Sequence, residues 1–270
     1  MNELLTRSVF GLVFAIVVIA CIFISPYAMA ALLLVVVGIG VFEMCRLHGL
    51  NQSHQVALSE VLALGTFILG GCVALGWLPY LCLLLELLFL GLPFLYALFS
   101  KSVRHETVFA CNYASLVFLS LPSILMLFLY RPDLFGTMAG PWLVMLVFCL
   151  LWANDIFAYV TGKLFGKHKL YERISPGKTI EGCLGGLVFT IIAAVLFSHY
   201  AAWLSLTAAA GMAVLAVVFG TFGDLSESML KRQAGVKDSG KLIPGHGGIL
   251  DRFDSVMFSV PFIFVYLLLL

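Results

Sequence analysis

Charged residues are scarce in this chain, since Asp, Glu, Lys and Arg together make up 11% of its 270 residues. Hydrophobic residues reach 62%, whereas a typical soluble domain has roughly 45–50%. This composition argues against an ordinary soluble enzyme and favours a chain that crosses a membrane several times, at about 20 apolar residues per span. The formal net charge is only +1, and we expect no nucleic acid among the partners.

The seven cysteines also lack a pattern, because none of them forms a C-x-x-C pair and most lie inside apolar runs. That arrangement supports neither a disulfide framework nor a thiolate metal site. We therefore interpret the cysteines as small apolar residues within helices.

Polar breaks are few, and the apolar runs between them predict an all-α, polytopic membrane protein with about nine spans. Their approximate limits are 8–25, 27–47, 56–76, 79–99, 108–130, 139–162, 184–203, 207–225 and 254–270. Ala28, Met29 and Ala30 imitate the cleavage site of a signal peptide. A second apolar run begins at once, however, so we expect residues 8–25 to be a retained helix.

The basic residues support this count of spans. With a cytoplasmic N-terminus, 14 of the 15 Lys and Arg residues fall on internal segments, and only Arg131 lies outside. Cytoplasmic loops normally carry this excess of positive charge. The two long internal segments, about 163–183 and 226–253, therefore open on the same, cytoplasmic face of the membrane.

Residues 224–254 hold ten of the chain's 29 charged residues, between two apolar runs. Asp251 and Asp254 are three residues apart and share one helix face, and Asp224 ends the preceding span. Carboxylates at a membrane edge are costly and usually functional, and together they would repel one another without a cation. Mg²⁺, held by carboxylates and substrate phosphates, meets that need. Asp224 could instead be an ordinary residue at the end of a helix, without a functional role.

Two short segments are candidates for anion binding. Ser175 and Pro176 resemble a helix N-cap followed by proline at the first helical position, which would place Lys178 and Thr179 on the first turn. A helix N-terminus attracts anions through its free N–H groups and dipole. A nucleotide-binding P-loop is excluded, because Glu172 stands where that motif needs glycine.

Gly247 and Gly248 precede the last span and suggest a second helix start that a phosphate could approach closely. A plain hinge between loop and helix is the alternative. The neighbouring His246 could be a metal ligand, an acid or a hydrogen-bond donor. The basic residues of this segment could equally report topology, or attract anionic lipid head groups without specificity. The sequence does not decide whether Glu43, Glu60 and Glu86 line a cavity or pair across helices.

Taken together, these residues form a pattern: Ser228-x-x-Lys231-Arg232, Lys237-Asp238-Ser239-Gly240, and Pro244-Gly245-His246-Gly247-Gly248-x-x-Asp251-Arg252-x-Asp254. The pattern resembles the signature of the phosphatidate cytidylyltransferase family, also called CDP-diacylglycerol synthases. Asn154-Asp155, Ala158-Tyr159, Gly162 and the segment from Ser175 to Gly182 resemble two further motifs of that family. Ile180 departs from it, because tryptophan is common there, and Lys241 occupies a variable position.

The resemblance implies that CTP and phosphatidate react to give CDP-diacylglycerol and pyrophosphate with Mg²⁺, while a second cation is left open. It also implies membrane lipid as a partner, a homodimer, and a place in the inner (cytoplasmic) membrane with the active site facing the cytoplasm. Residues 1–137 would then form a scaffold with lipid access, and residues 138–270 would form the catalytic region. The implied catalytic residues are Asp224, Lys231, Lys237, Asp251 and Arg252. The implied substrate-binding residues are Asn154, Asp155, Ser175, Lys178, Thr179, Ser228, Arg232, Asp238, His246, Gly247 and Gly248. The implied metal ligands are Asp224, Asp251 and Asp254.

Two other classes of protein remain open at this point. A secondary transporter would place charges near the middle of the membrane, in broken helices of paired halves, whereas the charges here cluster at one interface. A related membrane enzyme would share the nucleotide chemistry and differ in its lipid pocket. Examples are a CTP-dependent polyprenol or phytol kinase and a cytidylyltransferase for ether lipids.

Overall fold

The computed structural model describes residues 3–99, 105–136, 140–201, 203–240, 242 and 247–270, with side chains from residue 9 onward. Within these residues the chain is an almost entirely helical bundle. Its N-terminal elements are α1 (Glu3–Ile24), α2 (Pro26–Leu47), α3 (Ser53–Ala74), a 3₁₀ segment (Tyr80–Leu85), α4 (Glu86–Phe99), α5 (His105–Ser115), a π-helical turn (Leu116–Ser120), α6 (Leu121–Phe128) and α7 (Pro132–Phe135). Its C-terminal elements are α8 (Gly140–Phe165), β1 (Lys169–Tyr171), β2 (Ser175–Thr179), α9 (Ile180–Tyr200), α10 (Leu206–Gln233) and α11 (Leu250–Leu268).

Several helices are long and apolar enough to cross a membrane. In the described part of the chain seven segments meet this condition: Pro26–Leu47, Ser53–Ala74, Tyr80–Phe99, His105–Phe128, Gly140–Phe165, Ile180–Tyr200 and Leu206–Gln233. The apolar part of α1, Val9–Ile24, is shorter, and α11 carries three charged residues in its first two turns. The prediction of an all-α, polytopic membrane protein is confirmed. The nine crossings and the cytoplasmic N-terminus stay predictions.

Local chemistry explains where the helices begin and bend. Ser25 caps α2 by accepting a hydrogen bond from the backbone N–H of Ala28 at 3.1 Å, and Pro26 occupies the first position, where no N–H is needed. The prediction that residues 8–25 form a helix separate from the next one agrees with this break. Pro122 follows the π-helical turn between α5 and α6, where its missing N–H accommodates the wider turn.

One end of the bundle carries aromatic rings and a single described arginine. Tyr27 stacks on Trp77 with ring centroids 5.7 Å apart, and the Tyr130 hydroxyl donates to the carbonyl of Ile22 at the end of α1. Arg131 lies beside Tyr80 at this end. Such aromatic belts are typical of a membrane–water interface, and the position of Arg131 agrees with its predicted separation from the other basic residues.

The opposite end gathers the end of α8, the β1–β2 hairpin, the start of α9, the end of α10 and the start of α11. The hairpin is antiparallel and pairs Lys169 with Thr179 and Tyr171 with Ser175. The prediction that Ser175 caps a helix, with Lys178 and Thr179 on its first turn, is therefore wrong, since all three residues lie on β2. Thr179 caps α9 instead, because its hydroxyl accepts a hydrogen bond from the N–H of Gly182 at 3.1 Å, and strand pairing holds Ser175 extended.

Small residues bring α8 and α9 close together at this end. A Cβ added to Gly186 would lie 2.5 Å from Oδ1 of Asn154, and one added to Gly182 would lie 2.7 Å from the carbonyl oxygen of Ala158. Small residues at such crossings let membrane helices approach at backbone distance. The packing fixes where Asn154 and its neighbour Asp155 stand relative to the hairpin.

Candidate active site

A cavity of about 620 Å³, here called the hairpin cavity, opens between α8, the hairpin, α9 and α10. It is lined by Asn154, Asp155, Ala158, Tyr159, Gly162, Lys163, Ser175, Gly177, Lys178, Thr179, Gly182, Cys183, Thr221 and Asp224. Six of these residues are sequence-predicted site residues, contributed by α8, β2 and α10. The structure therefore brings together the two C-terminal segments that the charge pattern assigned to one membrane face.

An ion pair between Lys178 of β2 and Asp224 of α10 connects two of the elements that line the hairpin cavity. The Lys178 ammonium lies 2.5 Å from Oδ2 of Asp224, and both side chains are about a third exposed or less. The other oxygen of Asp224 accepts a hydrogen bond from the Ser228 hydroxyl, one turn later on α10, at 3.2 Å. The cavity thus presents a cation and an anion side by side, next to the N-terminus of α9.

Asn154 contributes a polar atom that the described fold leaves unsatisfied. The residue is 6% exposed, and its Oδ1 has no hydrogen-bond partner among the described residues. A buried polar atom without a partner usually costs free energy, so it calls for a functional or solvent-based explanation. Its position in the hairpin cavity makes Asn154 a candidate ligand contact.

A second, smaller cavity of about 220 Å³, here called the α1 cavity, lies between α1, α8 and α11. Its lining combines apolar side chains of α1, among them Phe10 and Phe14, with Arg252 and Asp254 of α11. Asp155 lines both this cavity and the hairpin cavity. The two cavities therefore meet at one carboxylate.

Three carboxylates form a cluster where the cavities meet. Asp155 and Asp224 both repel Asp254 electrostatically, and the positive charges of Lys178 and Arg252 act on Asp155. Among the described residues, no group of three or more His, Cys, Asp or Glu side chains is arranged to hold a metal ion by itself. Mg²⁺ usually takes only one or two carboxylates together with phosphates and water, so the cluster fits that ion when a phosphate is bound.

Asp251 has other partners. Its Oδ1 accepts a hydrogen bond from Lys231 at 2.5 Å. Its Oδ2 accepts from the Ser239 N–H at 2.9 Å and the Gly248 N–H at 2.8 Å, and it shares the single hydrogen of the Ser239 hydroxyl, 3.0 Å away, with Glu43. A carboxylate offers about four acceptor sites, so Asp251 is saturated, whereas Asp224 and Asp254 are not.

Lys231 balances two buried acids. Its ammonium lies 2.5 Å from Glu227 Oε2 and from Asp251 Oδ1, while the Glu227 side chain is 1% exposed. Such a cation cannot be removed without leaving uncompensated charge in the protein. Glu227 was not among the predicted site residues, although its i, i+4 spacing to Lys231 was a visible signal.

Comparison with known proteins gives the reaction class. Residues 5–270 match the family described as the cytidylyltransferase family. This chain belongs to that family. A protein of Haemophilus influenzae named phosphatidate cytidylyltransferase is 46% identical over 128 residues, which cover 46% of this chain and 44% of the relative. One of Staphylococcus haemolyticus with the same name is 45% identical over 130 residues, 46% of this chain and 48% of the relative. The matched segments thus span slightly less than half of each relative.

The remaining predicted residues of this family member lie outside both cavities. Arg232 donates hydrogen bonds to the carbonyls of Ile174 and Val236, so it ties the end of α10 to the hairpin. Lys237 and Asp238 are exposed. The N–H of Gly248 is directed at Asp251 rather than left open to a phosphate. His246 lies outside the described residues.

Gly247 has a clear conformational role. Its φ of +84° is in the left-handed region, which disfavours any side chain. A Cβ there would also lie 2.5 Å from Asp251 Oδ2. Gly247 therefore allows the chain to fold over Asp251 before α11 begins.

Proposed function

We propose that this protein transfers the cytidylyl group of CTP to phosphatidate, giving CDP-diacylglycerol and pyrophosphate for phospholipid biosynthesis. The match of nearly the whole chain to the cytidylyltransferase family carries the proposal. The relatives' shared name supplies phosphatidate as the acceptor. Neither finding favours a lipid kinase, an ether-lipid enzyme or a transporter.

In this reaction a phosphate oxygen of phosphatidate attacks the α-phosphorus of CTP. A new P–O bond forms, and the bond from the α-phosphorus to the bridging oxygen breaks, so that pyrophosphate leaves with that electron pair. The attacking oxygen is already ionised near neutral pH, so no strong general base is needed. The protein has to bring two polyanions together, align them and neutralise the charge.

The hairpin cavity suits the nucleotide. Its volume of about 620 Å³ lies within the roughly 300–1,000 Å³ of typical ligand sites. Lys178 and the N-terminus of α9 supply positive potential for phosphates. The unsatisfied Oδ1 of Asn154 is able to accept a hydrogen bond from the cytosine amino group or a ribose hydroxyl.

The α1 cavity suits the lipid head group. Arg252 supplies a guanidinium for a phosphate, and Phe10 and Phe14 supply an apolar wall on the side of α1. A phosphatidate in this cavity would bring its phosphate towards Asp155, where the hairpin cavity begins. The shared wall gives the two substrates a place to meet.

Asp224 and Asp254 are the residues that we propose to hold Mg²⁺, with Asp155 beside them. Each has acceptor sites to spare, whereas Asp251 is saturated by Lys231, Ser239 and Gly248. When bound, the ion would neutralise charge on the triphosphate and the leaving pyrophosphate. We assign Lys231 and Asp251 to holding the start of α11 in place, and a second cation stays open.

The protein is a multi-pass membrane protein, and we propose that it lies in the cytoplasmic membrane with both cavities facing the cytoplasm. The distribution of basic residues supports this orientation, and CTP would then arrive from water while phosphatidate enters from the bilayer. A homodimer, and the absence of a nucleic-acid partner, stay expectations.

Incubation of the purified protein in detergent with labelled CTP, phosphatidate and Mg²⁺ tests the proposed function. Thin-layer separation should show a labelled liponucleotide and an equal amount of pyrophosphate. With CTP labelled on its γ-phosphate instead, a labelled prenol phosphate formed from a supplied prenol would favour the kinase alternative. No labelled lipid with any of these acceptors would overturn the proposal.

A further inference from the structure

Glu43 near the end of α2 is a buried carboxylate that reaches into the catalytic half of the chain. The residue is only 4% exposed. Its Oε2 accepts hydrogen bonds from the Ser239 hydroxyl at 2.8 Å and from the Leu250 N–H at 2.9 Å, and its Oε1 accepts from the Ile249 N–H at 3.1 Å. These partners lie 196 to 207 positions further along the chain.

A buried charge is costly unless it is compensated, and Glu43 is compensated by the start of α11. Two N–H groups at that end donate to Glu43, and the positive end of the helix dipole favours its negative charge. The same contacts satisfy N–H groups that a helix start would otherwise leave without a partner. Glu43 therefore acts as a cap for α11 that is supplied from another helix.

The surrounding backbone is shaped to admit this carboxylate. A Cβ added to Gly240 or to Gly248 would collide with the oxygens of Glu43. Ser239 and Gly240 close the second part of the signature pattern, and Gly248 lies in its third part. Glu43 thus contacts two parts of the pattern at once, while the Ser239 N–H donates to Asp251.

We propose that Glu43 is a positioning residue that fixes Ser239 and Gly248, on two parts of the signature pattern, against the start of α11. In doing so it holds Asp251, and with it Lys231 and Arg252, in register with the carboxylate cluster. This inference rests on the proposed function for its kinetic consequence, but its structural consequence can be measured without activity. It also gives the N-terminal helices a direct part in the site.

Glu43→Gln tests the proposal with little change of shape. The amide oxygen can accept from one or two donors, but the NH₂ group faces a donor that it cannot satisfy. We expect kcat to fall by roughly 10–100-fold, because small displacements of reacting groups cost about that much. We also expect the amides of Ile249 and Leu250 to exchange hydrogen roughly tenfold faster.

Glu60→Gln is the matched control, because Glu60 is a partly buried acid of the neighbouring helix α3. It should leave both kcat and the exchange of the α11 amides close to wild type. Ser239→Ala should lower kcat in the wild type but have a smaller effect when Glu43 is already Gln, since both changes remove the same hydrogen bond.

Gly248→Ala disrupts the contacts of Glu43 in a second way, because the added methyl group displaces the Glu43 carboxylate without changing its charge. It should reproduce the faster exchange of Ile249 and Leu250 even if Glu43→Gln folds poorly. Wild-type kcat with unchanged exchange in Glu43→Gln would overturn the inference. So would additive effects of the Ser239 and Glu43 substitutions. A wild-type protein without cytidylyl transfer would overturn the proposed function instead, and the exchange measurement would still decide the role of Glu43.

Discussion

Replacing Lys178 by Gln should lower kcat/KM for CTP by about 10–100-fold. The Lys178 ammonium lies in the hairpin cavity, 2.5 Å from Asp224, where a triphosphate would bind. A hydrogen bond to a charged group contributes about 1.5–3 kcal/mol, and about 1.4 kcal/mol corresponds to a factor of ten. The loss of this one contact therefore sets the expected range.

The same substitution should change stability very little. The side chains of Lys178 and Asp224 are 26% and 32% exposed, and ion pairs at such partly exposed positions contribute about 0–1 kcal/mol. The midpoint of thermal unfolding in detergent should therefore shift by no more than a few degrees. A large loss of activity with a nearly unchanged midpoint would separate substrate binding from folding.

The assay is the formation of labelled CDP-diacylglycerol at several CTP concentrations, with equal amounts of folded protein. Lys167→Gln is the control, because Lys167 precedes the same hairpin but does not line the cavity. Equal activity of the Lys178 and Lys167 variants would refute the assignment of the nucleotide to the hairpin cavity.

Further substitutions address the carboxylate cluster, the buried ion pair and the topology. Asp254→Asn should leave below about a tenth of wild-type activity at saturating Mg²⁺, and a higher activity would remove Asp254 from the proposed metal site. Lys231→Met should lower the free energy of unfolding by about 3–5 kcal/mol, because two buried acids lose their cation; an unchanged unfolding midpoint would contradict this reasoning. In a cysteine-free background, single cysteines at Tyr171 and Leu242 should react with an impermeant reagent from the cytoplasmic side. A cysteine at Asp133 should react from the opposite side, and labelling of the first two from different sides would exclude a shared site.

The sequence was sufficient to predict the helical architecture, because each apolar run is a local property of consecutive residues. Every predicted span coincides with a helical segment, including the break at Ser25 and Pro26. The ends agree to within about five residues, except that α10 continues to Gln233 where the predicted span stops at residue 225. The motif residues from Ser228 to Asp254 were likewise sufficient to predict the family by resemblance. The family match confirms that prediction. The metal and substrate roles of the individual residues stay predictions.

The prediction for Ser175 was wrong because two signals competed locally. A serine followed by proline is typical of a helix start, but pairing with residues 169–171 keeps this segment extended. Thr179 is also a good cap, and the structure uses it four residues later. Strand pairing within a hairpin depends on a partner segment, which the cap pattern alone does not reveal.

Composition and the apolar runs by themselves determined that this chain is a helical membrane protein, and the resemblance of its motifs to a known family predicted the cytidylyltransferase type. Only the tertiary structure decided which charges meet. It paired Lys178 with Asp224, filled the acceptor sites of Asp251 with Lys231, Ser239 and Gly248, and brought Glu43 to the start of α11. The physical reason is that these contacts depend on how distant helices cross. Residues separated by up to 207 positions leave no periodic signal in the sequence, whereas the helices themselves follow from neighbouring residues.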